Sequence, residues 1–273
     1  MTTALDTSIL SPEQIEDFHR DGAIIVRGLF TPDEVATLER GIERNLAEPS
    51  PRFKVASRPD DPGWFGEDFC NWQRIEEFRD IAFNSRAADA AGALMGCDVR
   101  LYHDHMLVKE PGTRQDTPWH QDQPYYNVDG FNNCSIWAPV DPVALESTLE
   151  FVAGSHREGW LMPRSFMDNQ ARWFPEGSLR ELPAIEEDRS SFDILGWKME
   201  PGDAVFFHML TLHHAYGVPG QRRRRAFSLR FLGDDMVHAP RPWVTSPQFD
   251  GLELELPAGA PMDHPLFPVL RSR

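Results

Sequence analysis

From residue 99 onward the chain breaks into short extended runs parted by turn chemistry, a texture that few folds can accommodate. The runs cover 99–109, 119–123, 134–140, 149–152, 192–199, 204–209 and 224–232, and Pro201-Gly-Asp203 and Gly217-Val-Pro-Gly220 sit where hairpins would reverse. Short strands spaced by turns predict a β-sandwich or barrel for this half of the chain. The stretch 157–191 interrupts the pattern with polar, irregular sequence, and a loop of that length inside a compact domain predicts a covering lid.

The first 98 residues read differently. Ser11-Pro-Glu-Gln14 and Thr31-Pro-Asp-Glu34 each combine a hydroxyl N-cap, proline at the first helical position and Glu or Gln three residues after the cap, which marks two helix starts. Val35, Leu38, Ile42 and Leu46 give the second helix one apolar stripe, and the 23–26 run between the helices reads as a buried strand. A third helix is predicted over 75–95, ending at Gly96, with Ile75, Phe78, Ile81 and Ala88 inward. The tail carries seven prolines between Pro240 and Pro268, so it should wrap the surface as extended chain. The expected organisation is one domain over 1–273: a largely helical flank (1–98), a β core (99–235) with its lid insertion, and a wrap (236–273).

Composition removes whole classes of partner. A formal charge of -16 opposes nonspecific binding to nucleic acid or to anionic lipid. No stretch approaches the ~20 apolar residues of a membrane helix. The N-terminus lacks the basic start and apolar run of a secretory signal, and Cys70, Cys97 and Cys134 form no paired motif, so the expected setting is the cytoplasm.

The chemistry begins at Thr117-Pro-Trp-His-Gln-Asp122. In an extended segment residues i and i+2 share a face, so His120 and Asp122 can converge on one ion. A facial ferrous site needs two imidazoles and one carboxylate. The second imidazole should come from a distant strand, and 202–215 offers His208, His213 and His214, among which periodicity does not choose. His103 and His105 share a strand face too, but without a matching third ligand they read as polar strand surface. The basic run Arg222 to Arg225 reads as a charged turn in which one member can differ from the rest.

Across most of its length the chain resembles the phytanoyl-CoA dioxygenase family of iron(II)- and 2-oxoglutarate-dependent oxygenases. The resemblance rests on the helix-strand-helix opening, on Thr117-Pro-Trp-His-Gln-Asp122, Ala153-Gly-Ser-His156, Gly202-Asp-Ala-Val-Phe-Phe-His208 and Arg224-Arg-Ala-Phe-Ser-Leu-Arg-Phe231. It implies a mainly β fold with flanking helices around a double-stranded β-helix, the jelly-roll or cupin-like core. It implies His213 as the distal metal histidine, with His120 and Asp122, and Arg224, eleven residues on, as the grip on the far carboxylate of 2-oxoglutarate. A planar guanidinium suits that carboxylate better than an ammonium. Gln121 and Trp137 match positions that contact the cosubstrate in family members. Where the family has a small hydroxyl residue two positions after the distal histidine, this chain has Ala215.

The implied cofactor set is Fe(II), 2-oxoglutarate and O2, and the implied reaction is hydroxylation of a small organic molecule with release of succinate and CO2. Related halogenases carry a small residue in the carboxylate position; Asp122 fills it here. Desaturation, cyclisation and epoxidation use the same centre, and a non-catalytic metal-binding protein or a zinc hydrolase could use the same three ligands. Trp64, Phe65, Phe69, Trp72, Tyr125, Tyr126, Trp173 and Phe174 crowd the segments that would border the site, which favours a substrate with apolar surface.

Overall fold

The computed structural model describes residues 3–165, 170, 172–218 and 220–273. Among them, nine strands form a large sheet in the order Thr3–Ala4, Val269–Ser272, Val99–Lys109, Arg224–Leu232, Asn133–Pro139, Ala204–Phe207 and Ala23–Val26, with Phe65–Phe69 paired to Val99–Lys109 and Lys54–Val55 paired to Phe65–Phe69. A second sheet runs Ile194–Gly196, Leu149–Val152, His213–Ala215, Thr117–His120. Neither sheet closes on itself, and the two make an open jelly-roll.

Alternation along the strands assigns the layers. On Arg224–Leu232, Phe227, Leu229 and Phe231 join a core shared with Leu38, Ile42, Phe78 and Ile81 from the helices. Ala226, on the opposite face, packs with Trp137, Val205 and Phe207 against Leu149 and Phe151 of the small sheet. The large sheet is therefore buried on both sides, and Ala226 to Leu232 are buried without a break. Phe227 stacks on Phe78 at 4.3 Å between ring centroids. Phe227→Ala should cost about 3–5 kcal/mol in urea unfolding, the usual range for emptying a buried aromatic site.

Both predicted capping boxes form, at Ser11 with Gln14 and at Thr31 with Glu34, starting helices Pro12–Asp21 and Pro32–Ala47. The third helix differs: it is two helices, Glu76–Asn84 and Ala87–Met95. Ser85 is extended (φ -77, ψ 169), its hydroxyl donates to Ile81 O at 2.6 Å and accepts from Ala87 N at 3.3 Å. A serine that bonds backbone on both sides competes with the helix ladder and breaks it. Gly96 does end the pair in the left-handed conformation expected of it.

Strands Val99–Lys109, Leu149–Val152 and Arg224–Leu232 fall where the sequence places them. The run expected over 119–123 is instead Thr117–His120, and the one expected over 192–199 shortens to Ile194–Gly196. Of the strands outside the expected set, two border the site, Phe65–Phe69 and His213–Ala215. The first is interrupted by Gly66 and two acids and the second is three residues long, so neither carries an apolar alternation.

The turn expected over 217–220 includes residue 219, and the loop over 157–191 expected as a cover includes residues 166–169 and 171, all outside the described set. The described part of that loop near its end holds short turns at Ile185–Glu187 and Arg189–Ser191. Arg189 ties it to the small sheet through Glu150 at 2.8 Å. The tail is not extended throughout: it contains a short helix, Leu252–Glu255, and its end, Val269–Ser272, pairs with the start of Val99–Lys109.

Candidate active site

His120 and His213 are directly opposed across the antiparallel pair formed by Thr117–His120 and His213–Ala215. The same ladder pairs Ala215 with Thr117, so two residues, Pro118 and Trp119, face one, His214. The irregularity lies on the strand with the proline, which has no N–H to give to a ladder. It leaves His213 inward and sends His214 the other way, onto Trp119, with ring centroids 5.2 Å apart. Register thus chooses among the three histidines where periodicity does not. His208 is placed elsewhere, its Nε2 on Phe131 O at 2.6 Å.

Asp122 reaches the same point by a different route from the one its spacing predicts. It lies beyond the strand in a helical turn conformation (φ -75, ψ -44), and its N–H donates to Met209 O at 2.8 Å. Gln123 N–H donates to the same carbonyl at 3.1 Å. The loop carrying Asp122 is thereby pinned to the loop that leads into His213, so the convergence comes from a turn, not from the pleat.

The donor atoms meet closely. His120 Nε2 is 3.4 Å and His213 Nε2 3.6 Å from Asp122 Oδ1, and one donor from each residue lies within 4.8 Å of the other two. All three residues are buried. Each imidazole has its other nitrogen, Nδ1, on the carbonyl two residues back, His120 on Pro118 O at 2.8 Å and His213 on Thr211 O at 2.9 Å. Carbonyls accept only, so each Nδ1 carries the proton and each Nε2 turns a lone pair toward the shared point, the usual way a ligating histidine is oriented. Burial, reinforced by His120, pushes His213 down to about 3, so the ring is neutral at pH 7 as ligation requires.

Arg230 completes the arrangement, and sequence reasoning did not single it out. Its Nη2 and Nε lie 3.0 and 3.1 Å from Asp122 Oδ2, and its Nε is 3.2 Å from Tyr126 Oη. One carboxylate oxygen is thus committed to the guanidinium and the other is left facing the histidines. Burial raises the Asp122 carboxyl, but the Arg230 guanidinium outweighs it and holds the group well below the usual carboxylate range. The signal was available: residues 224 and 230 are an even number apart on one strand and so share a face.

Arg224 points inward and lines a small cavity with His120, His213, Trp137 and Lys109. Its Nη1 donates to Ser147 O, its guanidinium carbon lies 5.9 Å from the Trp137 ring, and among the described residues it makes no ion pair. Burial lowers it to about 10, still charged at neutral pH. Its neighbours in the basic run are outward as alternation predicts: Arg225 pairs with Glu39, Glu43 and Asp141, and Arg223 with Glu43 and Glu110. Lys109, opposite Arg224 in the ladder, is also buried, its ammonium on three backbone carbonyls.

Gln121 has another task from the one expected of it. Its amide donates to Gly159 O (2.9 Å) and Leu210 O (2.8 Å) and its oxygen accepts from Leu161 N (2.8 Å). With its polar atoms engaged, it braces the loops behind the triad and does not line the cavity. His103 and His105 are likewise not a metal pair; His105 bonds Glu67 at 3.3 Å and stacks on Phe69.

Burial pushes His208 down to about 4 and His103 well below its usual value. For a base whose folded pKa is depressed, the unfolded chain takes up more protons, so the stability is present above about pH 6.5 and drains away as pH falls toward the folded pKa. Metal-free protein should lose up to about 1.4 kcal/mol per pH unit for each such histidine between pH 6.5 and pH 4. Urea titrations at pH 7 and pH 5 measure it; equal stabilities would contradict the burial of these rings.

A jelly-roll with two histidines and one carboxylate on a single point defines the class of non-haem iron, 2-oxoglutarate-dependent dioxygenases, whose cofactors are Fe(II), 2-oxoglutarate and O2. The sequence profile of the family described as Phytanoyl-CoA dioxygenase (PhyH) matches residues 18–226, and the chain belongs to that family. Ectoine dioxygenase of Stutzerimonas stutzeri is 26% identical over 252 residues, covering 86% of this chain and 82% of that protein. The peroxisomal phytanoyl-CoA dioxygenase of Mus musculus is 23% identical, covering 85% and 71%. Among solved structures, the non-heme alpha-ketoglutarate-dependent carbocyclase SnoK from nogalamycin biosynthesis shares the fold over 97% of this chain and 98% of its own, with TM-score 0.76 and 21% identity. EctD from S. alaskensis, solved with bound Fe, covers 89% of each chain with TM-score 0.68 and 20% identity. No helix among the described residues is long and apolar enough to cross a membrane.

Proposed function

We propose that this protein hydroxylates an aliphatic C–H bond of a small organic molecule, with His120, Asp122 and His213 holding iron(II) and Arg224 holding the far carboxylate of 2-oxoglutarate. The observation that carries the reading is a convergent, pre-oriented His-Asp-His donor set sharing one cavity with a buried arginine that has no carboxylate of its own. The donor set fits the metal: two imidazole nitrogens and one carboxylate oxygen are what a ferrous facial site needs. When bound, the iron supplies the redox chemistry that couples decarboxylation of 2-oxoglutarate to oxidation of the substrate. The chain's own part is orientation and exclusion of water. Pro118 O and Thr211 O fix the rings, Arg230 fixes the carboxylate, and Trp137 and Phe207 wall the cavity. Lys109 sets a second buried basic group beside Arg224, and burial together with that guanidinium holds its pKa well below the ordinary lysine value.

Asp122 occupies the position a halide would need, which supports oxygen insertion over halogenation. The loop over 157–191 serves as the cover, and the three free cysteines suit a cytoplasmic setting. Adding iron(II) and 2-oxoglutarate without air should produce a weak visible charge-transfer band, and admitting air should release succinate slowly even without substrate. Absence of both overturns the proposal, whereas a band without succinate would favour a binding protein. Arg224→Lys should raise the 2-oxoglutarate KM about tenfold, because a point charge cannot reproduce the two-pronged contact. An unchanged KM would remove Arg224 from this role.

A further inference from the structure

Beyond the small cavity at Arg224, a larger one of about 500 Å³ opens beside the triad and is lined by both His120 and Asp122. Its size fits a compact metabolite. One wall is the Phe65–Phe69 strand, whose alternate residues Phe65, Glu67 and Phe69 all line the cavity. Glu67 is the polar member of that row, and its side chain is only 20% exposed.

The contacts of this carboxylate leave it half used. Its Oε2 is 3.3 Å from Nε2 of His105, a ring that is itself buried and stacked 3.9 Å from Phe69. Burial holds His105 below its ordinary value, so at neutral pH the ring is an uncharged donor. Among the described residues Glu67 has no arginine or lysine within ion-pair distance, and Oε1 has no hydrogen-bond partner. Lys54, its partner across the strand pair, reaches toward the Phe69 ring instead, at 5.8 Å. Arg172 also reaches the cavity but is exposed and lies over Trp173. Lys109 lies over the Phe65 ring at 4.8 Å, so both neighbouring rings already carry a lysine, but neither lysine ion-pairs with Glu67. A recessed carboxylate with one oxygen left over is an environment that stabilises an organic cation. The protein's charge of -16 draws the same sign of ligand.

We propose that the substrate carries a basic amine, and that Glu67, held by His105 and flanked by Phe65 and Phe69, receives its ammonium group while another carbon of the molecule faces the triad. The proposal rests on the metal reading above and adds a substrate class to it. Glu67 is then a specificity residue, and anionic molecules such as thioesters of coenzyme A are disfavoured.

Three matched probes separate the terms: cyclohexylmethylamine, cyclohexylmethanol and cyclohexanecarboxylate, titrated without air into protein loaded with iron(II) and 2-oxoglutarate and followed by calorimetry. The amine should bind about tenfold or more tighter than the alcohol, in keeping with a charge-assisted contact, and the carboxylate weakest. Glu67→Gln should bring the amine to the level of the alcohol. Because the order among the probes is read on the unmodified protein, it does not depend on how the variant folds. Alcohol or carboxylate binding as tightly as the amine, or no binding of the amine, overturns the proposal. The charge-transfer band of the same sample distinguishes the failures: with the band present only the amine assignment falls, and without it the metal reading falls and takes this one with it.

Discussion

Asp122→Ala protein is expected to show no charge-transfer band with iron(II) and 2-oxoglutarate and no succinate release above background. The substitution removes the donor that both Nε2 atoms face at 3.4 and 3.6 Å, and two histidines alone leave the ion without its anionic ligand. It also strands Arg230. That guanidinium is buried and its carboxylate partner is Asp122. Breaking a buried pair from one side typically costs about 3–5 kcal/mol. The variant should therefore be less stable even without metal, a loss visible in urea unfolding. The vacated space lies between a cation and two imidazoles, so added formate should return part of the band by supplying a carboxylate. Wild-type succinate release from Asp122→Ala would remove this residue from the metal site.

How far the sequence discloses this site depends on which physical signal each residue leaves. The capping boxes at Ser11 and Thr31 are local and chemical, and both form. The inward turn of Arg224 follows from alternation on a strand long enough to show it. The His-x-Asp spacing points to Asp122, although not through the strand geometry that the spacing implies. It leaves the strand and is aimed by its bond to Met209, a contact between loops distant in sequence. The choice of His213 over His214 rests on a strand of three residues in register with a proline-bearing partner, a long-range fact that a resemblance can imply and periodicity cannot supply. Gln121 shows the converse limit. Its place beside two ligands makes it look functional, yet the residue between two convergent ones points away, and the fold uses it to join Gly159, Leu161 and Leu210. Glu67 leaves no such signal: its strand contains a glycine and no apolar alternation, so only pairing with Val99–Lys109 reveals the face it presents.

Arg230→Met is expected to separate support of the metal site from the metal site itself. The methionine keeps much of the apolar stem but leaves Asp122 Oδ2 and Tyr126 Oη without the donor they share. In metal-free protein Asp122 would then be a buried carboxylate stripped of its strongest opposing charge, and the destabilisation should approach the about 3–5 kcal/mol typical of a half-broken buried pair. Bound iron would restore a countercharge to the same carboxylate. The deficit should therefore shrink when melts are repeated with saturating metal under anaerobic conditions, which a purely packing defect would not do. Metal affinity should fall about tenfold to a hundredfold, the range for loss of a group that orients a ligand. If the deficit is the same with and without metal and the affinity is unchanged, Arg230 does not position Asp122.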